Sequence, residues 1–231
     1  MVFPATLFDY NGVLADDETV HLSTFRAVLG PLGIELSDQD YWQHYLGYDD
    51  AGAFRAILRD AGREAPDELV ADLIERKRPL YLEQARTSLV TFSGAARAIE
   101  LRAAAGPVGV VSGALRDEIE LGLSLLGQRE RVAFIVSAED TSACKPDPEG
   151  YEIGKQRLAS LLAPALVGHA LVIEDSLAGV QAAKTAGLAC VAVAHSYTEV
   201  MLQEAGADLV VANIAALTDE VLGELYRRLY A

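Results

Sequence analysis

The apolar positions of the chain fall into two rhythms. Short runs of aliphatic and branched residues occupy positions 5–8, 108–111, 133–136, 171–173, 190–193 and 209–211. Runs this brief and this apolar predict strands covered on both faces. Between most of them the apolar residues recur at helical spacing. Across residues 115–126, Ile119, Leu123 and Leu126 share one face, and Gly127 marks the stop. Asp147 and Pro148 read as the N-cap and first position of a further helix. Strands alternating with helices predict an α/β fold with a parallel, doubly wound sheet and helices on both faces.

One stretch breaks the alternation. Between Asp9 and Val108 no strand pattern stands out, and the residues read as consecutive helices. Ser37-Asp38-Gln39-Asp40 has the form of a helix start with an acidic first turn. Phe54, Ile57 and Leu58 form an apolar stripe closed by Gly62. Leu69, Val70, Leu73, Ile74, Leu80 and Tyr81 form another, in which Pro79 is expected to introduce a kink. The expected organisation is a core domain of residues 1–16 and 91–231, with an all-helical domain of residues 17–90 inserted after the first strand. A helical insert beside strand ends is suited to act as a lid.

Composition narrows the range of functions. The chain has 231 residues with 51% apolar content, enough for a substantial core. Its net charge of −15 disfavours nucleic acid or an anionic membrane as partner, since both would repel it. No apolar run approaches the roughly 18 residues that span a bilayer. The two cysteines, Cys144 and Cys190, make no CxxC pair, and Met1-Val2-Phe3-Pro4 carries no basic segment. A reducing, cytoplasmic setting and a monomer are expected. An anionic substrate would then need a metal or a local positive charge.

The positions just after the strands carry the chemistry, because open α/β sheets bind ligands beyond the carboxyl ends of their strands. Asp9-Tyr10-Asn11-Gly12 comes after the first run and Ser112-Gly113 after the second. Lys145-Pro146-Asp147-Pro148 lies a little beyond the third, and Glu174-Asp175-Ser176 comes after the fourth. Carboxylates, a hydroxyl and an ammonium converging on one edge suit Mg²⁺-assisted phosphoryl chemistry.

At these residues the chain resembles the haloacid dehalogenase-like hydrolase superfamily. Within it the resemblance is strongest to the phosphatases and β-phosphoglucomutases with a helical cap, which have a Rossmann-like core. The residues that carry it are Phe8-Asp9-Tyr10-Asn11-Gly12-Val13-Leu14, Val110-Val111-Ser112-Gly113, Cys144-Lys145-Pro146-Asp147-Pro148 and Val172-Ile173-Glu174-Asp175-Ser176. The resemblance implies that Asp9 is the nucleophile and a Mg²⁺ ligand, and that Asn11 gives its backbone carbonyl to the metal. It implies that Ser112, Gly113 and Lys145 hold the phosphoryl group, with Lys145 offsetting the charge of Asp9. Glu174 and Asp175 would complete the metal site. The implied partner is a small phosphorylated metabolite.

The chain departs from that pattern at one position. These phosphatases and mutases carry a second Asp where Asn11 stands, as the acid that protonates the leaving oxygen. An amide has no such proton to give. Turnover of ordinary esters is therefore expected to fall by about 10²–10⁴-fold. Four explanations are open. The leaving group can be one that needs no proton, or Asn11 can be an engineered substitution. Asn11-Gly12 can deamidate to Asp, or the chain can be a catalytically inactive phosphometabolite-binding protein. A sugar-phosphate mutase is a further alternative. Gly47-Tyr48-Asp49-Asp50 weighs against it, being acidic where mutases carry a cation for a second phosphate. A substrate with one phosphate and a neutral or cationic remainder is expected instead.

His21 is either a relay near the site or a packing residue. Arg76-Lys77-Arg78 reads as a solvated helix face, from which Lys77 could reach a substrate. Trp42 and Tyr45 are expected in the helical core. His44, His169 and His195 are expected to be structural, and Cys144 a bystander.

Overall fold

A computed structural model of the chain describes residues 2–230. The chain divides into two compact units. One runs from the N-terminus to Ala15 and resumes at Thr91, and the other is Asp16–Val90.

The strands are β1 (Thr6–Phe8), β2 (Ala15–Asp16), β3 (Val90–Thr91), β4 (Val108–Val111), β5 (Phe134–Val136), β6 (Leu171–Glu174), β7 (Ala189–Val193) and β8 (Leu209–Val211). Six of them build one parallel sheet in the order β5-β4-β1-β6-β7-β8. This is the parallel, doubly wound sheet that the alternating pattern predicts. The two-residue strands β2 and β3 escape that pattern, because two residues are too few to set up a period.

β1 lies between β4 and β6, with Phe8 beside Val110 on one side and Ile173 on the other. The chain order turns back across β1, so the carboxyl end of β1 sits where ligands bind in such sheets. Burial explains the unbroken apolar runs. Leu7, Val110, Val172, Ile173 and Val191 are all fully buried. The strands pack under Tyr151, Leu158, Val180 and Ala183, which face them from helices.

Local signals place the helices with small offsets. The helix after Pro148 begins at Glu149, one residue later than the sequence predicts. Pro148 takes the cap position expected of Asp147, and Asp147, one residue before it, accepts from the Glu149 N–H at 2.9 Å. Ser176, just beyond β6, caps Leu177–Thr185 by accepting from the Gly179 N–H at 3.0 Å.

The second unit is helical, built on Glu18–Leu29, Asp50–Asp60 and Asp67–Ser88. Ser37 accepts from the Asp40 N–H at 3.0 Å, as its sequence predicts. The Asp67–Ser88 helix contains Pro79 and continues past it. Phe25, Leu29, Phe54, Ile57, Leu58, Val70 and Leu73 form the core of this unit. Tyr45 joins that core, but Trp42 does not: it is 44% exposed. The π-helical turn Tyr41–Tyr45 turns Tyr41 and Tyr45 inward and leaves Trp42 between them outside.

Candidate active site

Asp9 leaves β1 with its N–H bonded to the Ile173 carbonyl at 2.9 Å, which continues the ladder to β6. Its buried carboxylate lies 2.9 Å from the Lys145 ammonium. Lys145 also donates to Glu174 Oε1 at 2.6 Å and to the Val111 carbonyl at 3.2 Å. One ammonium therefore joins the ends of β1, β4 and β6.

Glu174 is satisfied on both oxygens. Oε1 accepts from Lys145 and from the Tyr151 hydroxyl, the latter at 2.7 Å. Oε2 accepts from the N–H groups of Asp175 and Ser176 at 3.0 and 3.2 Å, and from the Ser176 hydroxyl at 3.1 Å. A side chain at position 179 would collide with this carboxylate, so Gly179 makes room for it in the first turn of the helix. These donors make Glu174 the anchor of Lys145.

Asp175 lies against the backbone at Gly12. Gly12 has φ of 72°, and any Cβ there would strike the Asp175 carboxylate, so two constraints call for glycine at this position. The Ser196 hydroxyl makes a short hydrogen bond to Asp175 Oδ2.

Oxygen atoms of Asp9, Glu174 and Asp175, all three residues buried, come within 4.8 Å of one another. Burial pushes the Asp9 carboxyl up to about 6, against the pull of Lys145, and the charge of Glu174 adds to the rise. Burial, then the charges of Glu174 and Asp9, hold Asp175 well above the ordinary carboxylate range. Burial also pushes Glu174 up, but Lys145 and the donated hydrogen bonds outweigh it and leave its pKa below normal. Burial alone would lower the Lys145 pKa, and the charges of Asp9 and Glu174 reverse that. Three buried acids stand beside one ammonium, which pairs with Asp9 and Glu174. A hard divalent cation fits such an oxygen donor set.

Ser112 closes the other side. Its N–H bonds the Val136 carbonyl at 3.0 Å, and its hydroxyl donates to Asn11 Oδ1 at 3.2 Å. Ser112, Gly113 and Lys145 line a single pocket with Tyr151 and Cys144. The structure thus brings together Asp9, Asn11, Ser112, Gly113, Lys145, Glu174 and Asp175, all of them candidates from the sequence.

His21 and Lys77 lie in the helical unit and meet each other there. Lys77 Nζ donates to both oxygens of Asp50, at 2.7 and 2.8 Å, and contacts His21 Nδ1 at 2.9 Å. A lysine ammonium has no acceptor, so His21 must accept at Nδ1 and carry its proton on Nε2. Nε2 lies 3.2 Å from Asp17, which also accepts from the Tyr81 hydroxyl at 2.5 Å. The solvated face expected for Arg76-Lys77-Arg78 is corrected at its middle residue. Lys77 is fully buried, because consecutive helix residues point about 100° apart and Lys77 alone faces Asp50.

Sequence reasoning missed His195 and Ser196 as site residues. Both stand just past β7, the same kind of position that identifies Asp9, Ser112 and Glu174 on their own strands, and that placement was the available signal. Tyr151 was missed as well. It sits one turn into the Glu149–Leu158 helix, and only its fold position brings it to Glu174.

Residues 6–193 match the profile of the haloacid dehalogenase-like hydrolases. Validoxylamine A 7'-phosphate phosphatase of Streptomyces hygroscopicus subsp. limoneus is 28% identical over 205 residues, covering 88% of this chain and 92% of that protein. Among solved structures, a mutant of CbbY from Rhodobacter sphaeroides in complex with xylulose-(1,5)bisphosphate superposes with a TM-score of 0.80 at 26% identity. That match covers 94% of this chain and 96% of the other. β-Phosphoglucomutase from Clostridium difficile shares the fold, with a TM-score of 0.83 at 22% identity over 99% of both chains.

Proposed function

The chain belongs to the haloacid dehalogenase-like hydrolase family, and from that membership we propose that it is a Mg²⁺-dependent phosphatase acting on a small phosphate monoester. The observation that carries this reading is the buried group of Asp9, Glu174 and Asp175 around the single ammonium of Lys145. The 28% identical relative named for a phosphatase supports it, as does the 26% identical one solved with xylulose-(1,5)bisphosphate.

Asp9, the backbone carbonyl of Asn11 and Asp175 would hold the Mg²⁺, with Glu174 beside them. When bound, the cation supplies charge neutralisation for the phosphoryl oxygens. Asp9 attacks phosphorus in line with the leaving oxygen, forming an aspartyl-phosphate that water then hydrolyses. Lys145, kept protonated by its two carboxylates, holds the phosphoryl oxygens together with Ser112 and Gly113. Asn11 takes the place of the acid that protonates the leaving group. Its Oδ1 accepts from Ser112, and its amide has no acidic proton to give, so turnover of ordinary esters is slowed by about 10²–10⁴-fold.

The test is phosphate release from a panel of small esters, with Mg²⁺ and with EDTA, run beside Asn11→Asp. Mg²⁺-dependent release that increases in Asn11→Asp is expected. No release from any ester by either protein would end the phosphatase reading. Asn11 also favours a second reading, a phosphometabolite-binding protein without turnover. Single-turnover labelling separates the two. A phosphorylated Asp9 marks an enzyme, and metabolite binding with no transfer, even from acetyl phosphate, marks a binder.

A further inference from the structure

The loop after β7 touches the metal-site residues twice, and neither contact belongs to the chemistry above. Ser196 donates to Asp175 Oδ2. The neighbouring His195 places Nδ1 2.8 Å from the Gly12 carbonyl. A carbonyl only accepts, so His195 carries a proton on Nδ1 and donates it. The two residues therefore act on the same junction, because the Asp175 carboxylate fills the space where a Cβ of residue 12 would stand.

His195 is itself fixed. Its ring stacks on Phe92, with centroids 3.9 Å apart and planes 15° from parallel. The Phe92 N–H donates to the Leu14 carbonyl at 3.2 Å, and the Gly12 N–H to the Ala15 carbonyl at 2.8 Å. Residues 12 and 14 of the turn after Asp9 are thus both tied to the His195–Phe92 stack. The His195 N–H also bonds the Val193 carbonyl at 2.9 Å, which anchors this assembly to the end of β7.

We propose that His195 and Ser196 are positioning residues for the cation site. Ser196 sets the rotation of the Asp175 carboxylate, and His195 sets the turn that presents Asp9 and the Asn11 carbonyl. The inference rests on the Mg²⁺ reading above. It adds that the donor geometry is imposed from β7 and not only from the strands that carry the ligands. Partners of this kind, standing behind metal ligands, typically alter metal affinity by about 10–100-fold when removed.

Calorimetric titration of Mg²⁺ into the full chain tests it, with thermal denaturation in EDTA to monitor folding. Ser196→Ala is expected to weaken Mg²⁺ binding by about 10-fold or more, and Ser196→Thr, which keeps the hydroxyl, to restore most of it. His195→Phe keeps the ring stack and loses the donor, so it is expected to weaken binding. His195→Asn returns an N–H near the Nδ1 position and is expected to recover part of the loss. Wild-type affinity in both Ser196→Ala and His195→Phe would overturn the proposal. So would equal weakening in Ser196→Ala and Ser196→Thr, which would mark a packing role. If the wild-type chain takes up no Mg²⁺, the metal reading falls, and this inference falls with it.

Discussion

Each unit of the molecule buries a cluster of charges, and the two are resolved differently. In the helical unit, Asp17 and Asp50 meet one ammonium, one imidazole and one phenol. Asp50 takes two hydrogen bonds from Lys77, and Asp17 faces His21 and Tyr81. In the sheet unit, Asp9, Glu174 and Asp175 gather near one ammonium, and Lys145 is divided between Asp9 and Glu174. Asp175 is left with a hydroxyl donor and a pKa raised well above the ordinary range, first by burial and then by its two acidic neighbours. The helical cluster sets one ammonium against two acids and the sheet cluster sets one against three, so the sheet cluster is the more acidic and the better suited to a ligand of the opposite sign.

The contrast can be broken most sharply at Asp9. Asp9→Asn removes the proposed nucleophile and should abolish phosphate release, by at least about 10⁴-fold, which is measured on the best ester of the panel. Retained turnover would show that the surplus charge serves something other than attack on phosphorus. Asn11→Asp works the other way. It adds a fourth acid to the crowded cluster and should raise turnover by about 10²–10⁴-fold at saturating Mg²⁺.

The closed cluster has its own test. Lys77→Met leaves the largely enclosed Asp50 carboxylate without its countercharge and should cost about 3 kcal/mol in urea denaturation. Replacing both residues, as Lys77→Met with Asp50→Leu, should recover most of that loss. A Lys77→Met chain as stable as wild type would mean that the pair does not hold the helical unit together. The smallest effect expected is from Mg²⁺ itself. At about 100 times its dissociation constant it should stabilise the wild-type chain by about 2.7 kcal/mol, reversibly with EDTA. It should leave the Lys77→Met deficit unchanged, since the cation compensates only the open cluster.

The two clusters also differ in how far the sequence reveals them. Asp9, Ser112, Glu174 and Asp175 can be found because parallel strands deliver the residues after them to one edge, and the strands themselves can be read from their apolar runs. Lys145 lies beyond a loop rather than at a strand end, so its position is a weaker signal, and the family motif reinforces it. Lys77 is disguised by the two arginines that flank it, and a periodic pattern cannot tell which of three adjacent cations meets an acid on another helix. His195 and Ser196 sit in plain view after β7. Their roles are hidden because their partners lie far away in the chain, Gly12 being 183 residues from His195. The size of Trp42 points to the core, while the π-helical turn Tyr41–Tyr45 sends it outward.

The sequence by itself determined the alternation of strands and helices, the interruption by a helical segment, and the identity of the groups gathered at the strand ends. Those features are local, since period, capping residues and the residue after each strand are all set within a few positions. The tertiary structure decided how the groups are paired. It gave Lys145 to both Asp9 and Glu174, enclosed Lys77 with Asp50 and His21, and set Asp175 against the bare Cα of Gly12. Pairing and burial depend on the space between elements that are distant in sequence. The chain thus specified which charges would be present, and packing decided which of them would remain unbalanced.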